Sequence, residues 1–273
     1  MQVVEQFLAA KTGQLEQCED GIVVTSDFAA VIDGATDKTG CRYDGMTGGR
    51  YVMLVCCNAL RSLSPEADRM VAVEHLTETL ARQLPHNLLP RDRPDAAVSV
   101  YSRARREIWQ IGDVGFWHPG IPEGGATLRK VVDRYAADIR AAVIRVELAA
   151  GADPSVVARD DPGRLAISSL LTIQADFRNN PAAAEFAYSA VDGSTVPASL
   201  INVHKIPENV SQLVIASDGY PRILPTLAAS EEVLARLLTI DPLCIDELRG
   251  TKGTAPGNES FDDRAYLRLD VSG

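Results

Sequence analysis

The sequence lacks most of what would mark a membrane-spanning, secreted or nucleic-acid-binding protein. No apolar run in its 273 residues approaches the roughly 20 needed to cross a bilayer. No basic stretch precedes an apolar core at the N-terminus, so no secretory leader is expected. Lysine and arginine never cluster beyond Arg103-Ala104-Arg105-Arg106, and the net charge is −10, which disfavours nucleic acid and anionic membrane as partners. Cysteine is sparse and in odd number: Cys18, Cys41, Cys56, Cys57 and Cys244 include no Cys-x-x-Cys spacing, and Cys56 and Cys57 are neighbours inside an apolar run. That pattern implies buried thiols in a reducing compartment, so the expected location is cytoplasmic. His75, His86, His118 and His204 are scattered without ligand spacing, and no nucleophile-elbow motif is present. Neither an internal repeat nor a low-complexity tract interrupts the chain.

What is present is an ordinary apolar content and an alternation of strand and helix patterns. Short β-branched runs at 21–25 and 28–32 flank Ser26-Asp27, which predicts a hairpin. Residues 3–9, 96–101, 107–111, 114–117, 185–191, 200–206, 211–217 and 265–271 read as further strands. Apolar residues at three- to four-residue spacing predict helices around 51–59, 73–84, 127–149, 164–176 and 231–240. The stretch 151–163 reads as a polar connector, and 250–258, rich in Gly, Thr, Pro and Lys, as a mobile loop. Each sheet must bury a face on the other sheet or on helices. The order of blocks therefore predicts an α+β fold, a four-layer α-β-β-α sandwich in which two central antiparallel sheets are flanked by helices. Residues 1–273 are expected to form a single domain.

The chain is organised around Phe28-Ala29-Ala30-Val31-Ile32-Asp33-Gly34, an apolar strand that ends in an acid and a glycine. A strand delivers its last side chain to the rim of a sheet, and glycine admits a close backbone approach there. Alone, Asp-Gly is a turn dipeptide, as Asp192-Gly193 reads here. The design recurs, however, in Val214-Ile215-Ala216-Ser217-Asp218-Gly219, while Asp262-Asp263 opens the last apolar run and Glu19-Asp20 precedes Ile22-Val23-Val24. Carboxylates brought together from remote strand ends suit hard divalent cations, which take oxygen ligands and stabilise phosphoryl transfer.

The ordered set Glu19-Asp20, Val31-Ile32-Asp33-Gly34, Gly112-Asp113, Ala216-Ser217-Asp218-Gly219 and Asp262-Asp263 resembles the metal-dependent protein phosphatases of the protein phosphatase 2C type, as a divergent bacterial member. The resemblance spans residues 19 to 267. It implies two Mg²⁺ or Mn²⁺ ions, with a third as an option. Asp33 would bridge the pair and the Gly34 carbonyl would bind one of them. Asp218 and Asp262 would be further ligands, Glu19 and Asp20 would hold metal-bound water, and Asp113 would hold the third ion. Asp33, Asp218 and Asp262 would then be catalytic through metal-activated water. The expected activity is hydrolysis of a phosphomonoester, first of all phosphoserine or phosphothreonine in a protein. The alternatives are a small phosphorylated metabolite as substrate, or a catalytically weak, metal-binding regulatory module. Two positions depart from the family pattern: Ala35 stands where many members carry a histidine, and Leu15 where many carry a phosphate-gripping arginine. Arg42 and Lys38 are the candidate phosphate-binding residues, with Arg50 and Lys11 as further nearby cations; Gly48-Gly49-Arg50 reads either as an anion site or as a helix-packing device.

Overall fold

The structure, a computed structural model, describes residues 1–35, 40–122 and 124–272. Two antiparallel sheets form its centre. The first holds five strands: β2 (Asp20–Val24), β3 (Phe28–Gly34), β6 (Ala96–Ser102), β7 (Glu107–Ile111) and β9 (Asn202–Lys205), adjacent in that order. The second holds β1 (Gln2–Ala9), β11 (Arg264–Asp270), β10 (Gln212–Ala216) and β8 (Gly115–Trp117), again in that order. A small hairpin, β4 (Arg42–Tyr43) and β5 (Met46–Thr47), lies apart from both.

Side-chain alternation explains the stacking. On β3, Ala29 and Val31 join Ala97, Tyr101 and Ile108 of their own sheet and Phe116, Leu213, Ile215, Ala265, Leu267 and Leu269 of the other in one buried layer between the sheets. Ala30 and Ile32 point the opposite way, into a core with Val98, Val100 and Trp109 and with helices α1 (Gly48–Arg61) and α2 (Arg69–Ala81). With both faces covered, residues 28–32 of β3 are apolar without interruption, as a doubly buried strand must be. The outer face of the second sheet, through Val214, Ala216 and Tyr266, is covered by Tyr220, Ile223 and Leu227, the last of which begins α7 (Leu227–Ile240). The four-layer α+β sandwich expected from the sequence is therefore the observed fold.

The β2–β3 hairpin turns without glycine because Thr25 organises it. Its hydroxyl accepts from the Asp27 and Phe28 amides at 3.2 and 2.9 Å, satisfying donors that the turn would otherwise leave open. Four expectations need correction. Residues 185–191 form no strand; they make only isolated bridges, Arg178 with Tyr188 and Val191 with Ala96. The connector at 151–163 contains helix α4 (Pro154–Asp160), started by the Asp153 carboxylate accepting from the Ser155 amide, and the helix predicted at 164–176 is broken into α5 (Pro162–Ala166), α6 (Ser168–Ile173) and a 3₁₀ turn. The loop 250–258 is tied down at its start. Arg140, 1% exposed in α3 (Val131–Ala149), donates to the Cys244, Gly250 and Leu243 carbonyls at 3.0, 3.2 and 2.9 Å and to Asp161, while Arg164 donates to the Thr251 carbonyl at 2.8 Å.

Among the described residues the five cysteines form no disulfide; Cys18, Cys56, Cys57 and Cys244 are buried and Cys41 is exposed. Among the described residues, no helix is long and apolar enough to cross a membrane.

Candidate active site

Antiparallel pairing sends the ends of six strands to one rim of the sandwich. β2 begins at Asp20 directly opposite Asp33, near the end of β3, and Asp33 is in turn opposite Ala97 at the start of β6. Residue Asp113 follows the end of β7. From the facing sheet, β10 ends at Ala216, placing Ser217 and Asp218 just beyond it, and β11 begins at Arg264, placing Asp262 and Asp263 just before it. The Ser217 amide bonds the Ala265 carbonyl at 3.0 Å and the Ser217 hydroxyl accepts from the Ala265 amide at 2.9 Å, which fixes those two ends together.

The glycines after the acids serve close approach rather than a left-handed turn. A Cβ on Gly34 would run into the Gly49 carbonyl and the Glu19 carbonyl, and one on Gly49 would meet the Ala35 and Gly34 carbonyls at 2.7 Å. A Cβ on Gly219 would run into the Asp263 carbonyl. Gly48-Gly49 is thus a packing device that lets the first turn of α1 lie against the end of β3, its helix capped by Thr47 accepting from the Arg50 amide.

Asp33, Gly34, Asp113, Asp218 and Asp262 line one cavity of about 120 Å³, together with Lys130, Arg164 and Lys252. Asp20 lies behind it, 2% exposed, with its Oδ2 buried and without a hydrogen-bond partner. Burial pushes the Asp20 carboxyl well above its ordinary range; the Ser217 hydroxyl opposes this, and Asp262, Asp263 and Asp218 add to it. Burial likewise raises Asp33, reinforced by Asp218, Asp20, Asp262 and Asp113. Asp218 is pushed up to about 7, by burial first and then by Asp262 and Asp113, against the pull of Lys252 and Lys130. Like charges directly opposite one another on paired strands destabilise a sheet, so the crowding is a feature that folding alone would not favour.

Asp262 has the opposite electrostatics. Its Oδ2 lies 2.5 Å from the Lys252 ammonium and its Oδ1 3.4 Å from that of Lys11. Burial works to raise its carboxyl, but the two lysines outweigh it and hold the group below its ordinary value. Lys11 also reaches Glu19 at 3.5 Å and Asp263 at 3.4 Å. Asp263 is a brace: it accepts from the Lys11 amide at 2.7 Å and from the Glu19 amide at 2.9 Å, and is 3% exposed. Asp113 pairs with Lys130 at 3.1 Å, whose ammonium also sits 5.1 Å from the centre of the Tyr188 ring.

The structure therefore brings Asp33, Gly34, Asp113, Asp218 and Asp262 to one cavity, with Glu19 and Asp20 immediately behind. Among the described residues, no three acid, His or Cys side chains are already arranged to hold a metal ion. The unpartnered Asp20 oxygen beside Asp33 and Asp218 suits a cation; Asp262, with both oxygens on ammonium groups, does not in this arrangement. Arg42 is exposed on the β4–β5 hairpin and lines neither this cavity nor the adjoining one, while Lys38 lies outside the described residues. Arg50 donates to the Cys18 and Leu15 carbonyls at 2.6 and 3.5 Å and so anchors the approach to β2. Sequence reasoning missed Lys130, Arg164 and Lys252 as cavity residues. Each stands in a helix or loop away from the acid motifs, and nothing local marks its destination.

Two comparisons of the sequence, with family models and with curated proteins, give no match. Comparison of the fold does. The serine/threonine phosphatase Stp1 from Staphylococcus aureus superposes with a TM-score of 0.51 at 10% identity, covering 100% of this chain and 96% of that one. A bacterial serine phosphatase gives 0.51 at 10% identity, covering 100% and 99%.

The chain has the PP2C-type serine/threonine phosphatase fold.

The catalytic domain of the phosphatase PstP in complex with two manganese ions also aligns, with a TM-score of 0.46 at 14% identity over 97% and 95% of the chains. The rim described above is where the two sheets meet, and one of the two departures from the family pattern sits there. Ala35 lies on the cavity wall, and Leu15 is exposed in a 3₁₀ turn, Leu15–Gln17, away from it.

Proposed function

We propose that this protein hydrolyses phosphomonoesters, with phosphoserine or phosphothreonine in a protein as substrate, and that it depends on Mg²⁺ or Mn²⁺. The observation that carries this reading is the convergence of Asp20, Asp33 and Asp218 from both sheets on one rim, with a buried carboxylate oxygen left without a partner. A cluster this costly is accounted for if a cation neutralises it. Asp33, Asp218 and Asp20 would hold that cation, with the Gly34 carbonyl at the cavity wall and Asp113 and Glu19 at the margins. When bound, a divalent cation supplies positive charge for phosphoryl oxygens and lowers the pKa of water.

The chain's own residues do the rest. Lys130, Arg164 and Lys252 line the cavity and offer positive charge to a phosphate dianion. Gly34 and Gly219 keep the acids rigid by holding backbone against backbone. The Ser217 hydroxyl supports Asp20. Hydrolysis of p-nitrophenyl phosphate, with and without Mn²⁺, tests the reading on the wild type and Asp33→Asn. Turnover that depends on Mn²⁺ and is lost in the variant is expected; metal-independent turnover, or an unaffected variant, removes it.

The ammonium pairs on Asp262 favour one second reading, a metal-binding regulatory module with little catalysis, since they engage an acid the family uses as a ligand. Calorimetric Mn²⁺ binding without turnover on a panel of phosphopeptides would select it. Comparing rates on phosphopeptides and on small phosphorylated metabolites separates the substrate classes.

A further inference from the structure

The acid cluster is divided into two halves of different character. On one side, Asp20, Asp33 and Asp218 make no salt bridge with any cation among the described residues. On the other, Glu19, Asp262 and Asp263 surround Lys11, and Lys252 closes on the free oxygen of Asp262. From these contacts we infer that Lys11 and Lys252 stand in for one divalent cation, so that the protein binds a single Mg²⁺ or Mn²⁺ on the Asp20–Asp33–Asp218 side. The inference rests on the metal dependence proposed above and narrows it.

Charge and anchoring both support the assignment. Two ammonium groups carry together the charge of one divalent ion and, as hydrogen-bond donors, meet the same carboxylate lone pairs. Neither lysine is a loose surface residue. The Lys11 amide donates to Asp263 at 2.7 Å and its carbonyl accepts from the Glu259 amide at 2.8 Å. The residues just before Lys252 are held by Arg164 on Thr251 and by the buried Arg140 on Gly250. An ion using Asp262 would have to displace a 2.5 Å contact and strip the partner from a partly buried ammonium, whereas an ion at Asp20 would meet an oxygen with nothing bound to it.

The test counts ions rather than turnover. Chelator-stripped protein is titrated with Mn²⁺ while free Mn²⁺ is followed by electron paramagnetic resonance. The wild type is expected to bind one ion tightly. Lys252→Met, with its fold verified by circular dichroism, is expected to bind a second at least tenfold more tightly than the wild type does, and Lys252→Arg to return to one. Should Lys252→Met not fold, Lys11→Met carries the same expectation. Two tight ions in the wild type would overturn the inference while leaving the metal-dependent phosphatase intact. No Mn²⁺ binding by the wild type or by either lysine variant would overturn both.

Discussion

Removing the Asp218 carboxylate should make the metal-free protein more stable. Asp218 rises from 3.8 to about 7 in the fold, through burial and the proximity of Asp262 and Asp113. At about 1.4 kcal/mol per pH unit, that rise would be worth about 4 kcal/mol in a fully enclosed site. Asp218 is, however, exposed to cavity water. Screening there reduces the effect, and about 1 kcal/mol is expected. The sign follows from proton linkage. Below pH 3.8 the group is protonated in both states and contributes nothing. Between 3.8 and about 7 the folded state keeps the proton that the unfolded state has released, so wild-type stability falls as pH rises through that window. Above it the penalty is complete. Asp218→Asn should therefore exceed the wild type by about 1 kcal/mol at pH 8, a shift of about 2–4 °C in melting temperature, and converge with it as pH falls toward 4. Urea unfolding in EDTA, followed by circular dichroism at pH 5 and pH 8, measures this. Saturating Mn²⁺ should reverse the order, because only the wild type gains the full binding energy. A variant equal to or weaker than the wild type at pH 8 in EDTA would refute the electrostatic account of the cluster.

Other substitutions probe how the rim is held. Gly219→Ala drives a Cβ into the Asp263 carbonyl and should cost about 3 kcal/mol, whereas Gly250→Ala, whose nearest neighbour would be at 3.4 Å, should change stability by less than about 1 kcal/mol in the same urea assay. Arg140→Met removes a buried guanidinium from Asp161 and three carbonyls; it should cost about 3–5 kcal/mol and speed amide exchange across 243–252 in a hydrogen-exchange measurement. Asp263→Ala leaves the partly buried Lys11 amide and the buried Glu19 amide without their acceptor and should cost about 3 kcal/mol in thermal or urea unfolding.

The layered α+β architecture was legible because both of its signals are local. The uninterrupted apolar run at 28–32 and the nearly apolar run at 96–101, broken only by Ser99, mark strands covered on both faces, and helical spacing marks α1 to α3. The acids of the rim were legible for the same reason: each stands where an apolar run starts or stops, so strand geometry fixes its place. The break in 164–176 and the loss of a strand at 185–191 were not legible, because both depend on what packs beside those segments. Asp263 shows the limit at the scale of one residue. In the sequence it duplicates Asp262, yet one faces the cavity and the other accepts two backbone amides behind it.

The sequence by itself determined the strands of the two central sheets, the helices α1 to α3 and the terminal acids, since hydrophobic periodicity and glycine placement act over a few residues. Only the tertiary structure decided which charges meet. Lys11 and Asp262 are 251 positions apart, and Lys130 reaches Asp113 from a different element. No local pattern encodes such a pairing; it arises when two sheets close on one another and trap long side chains where their rims converge.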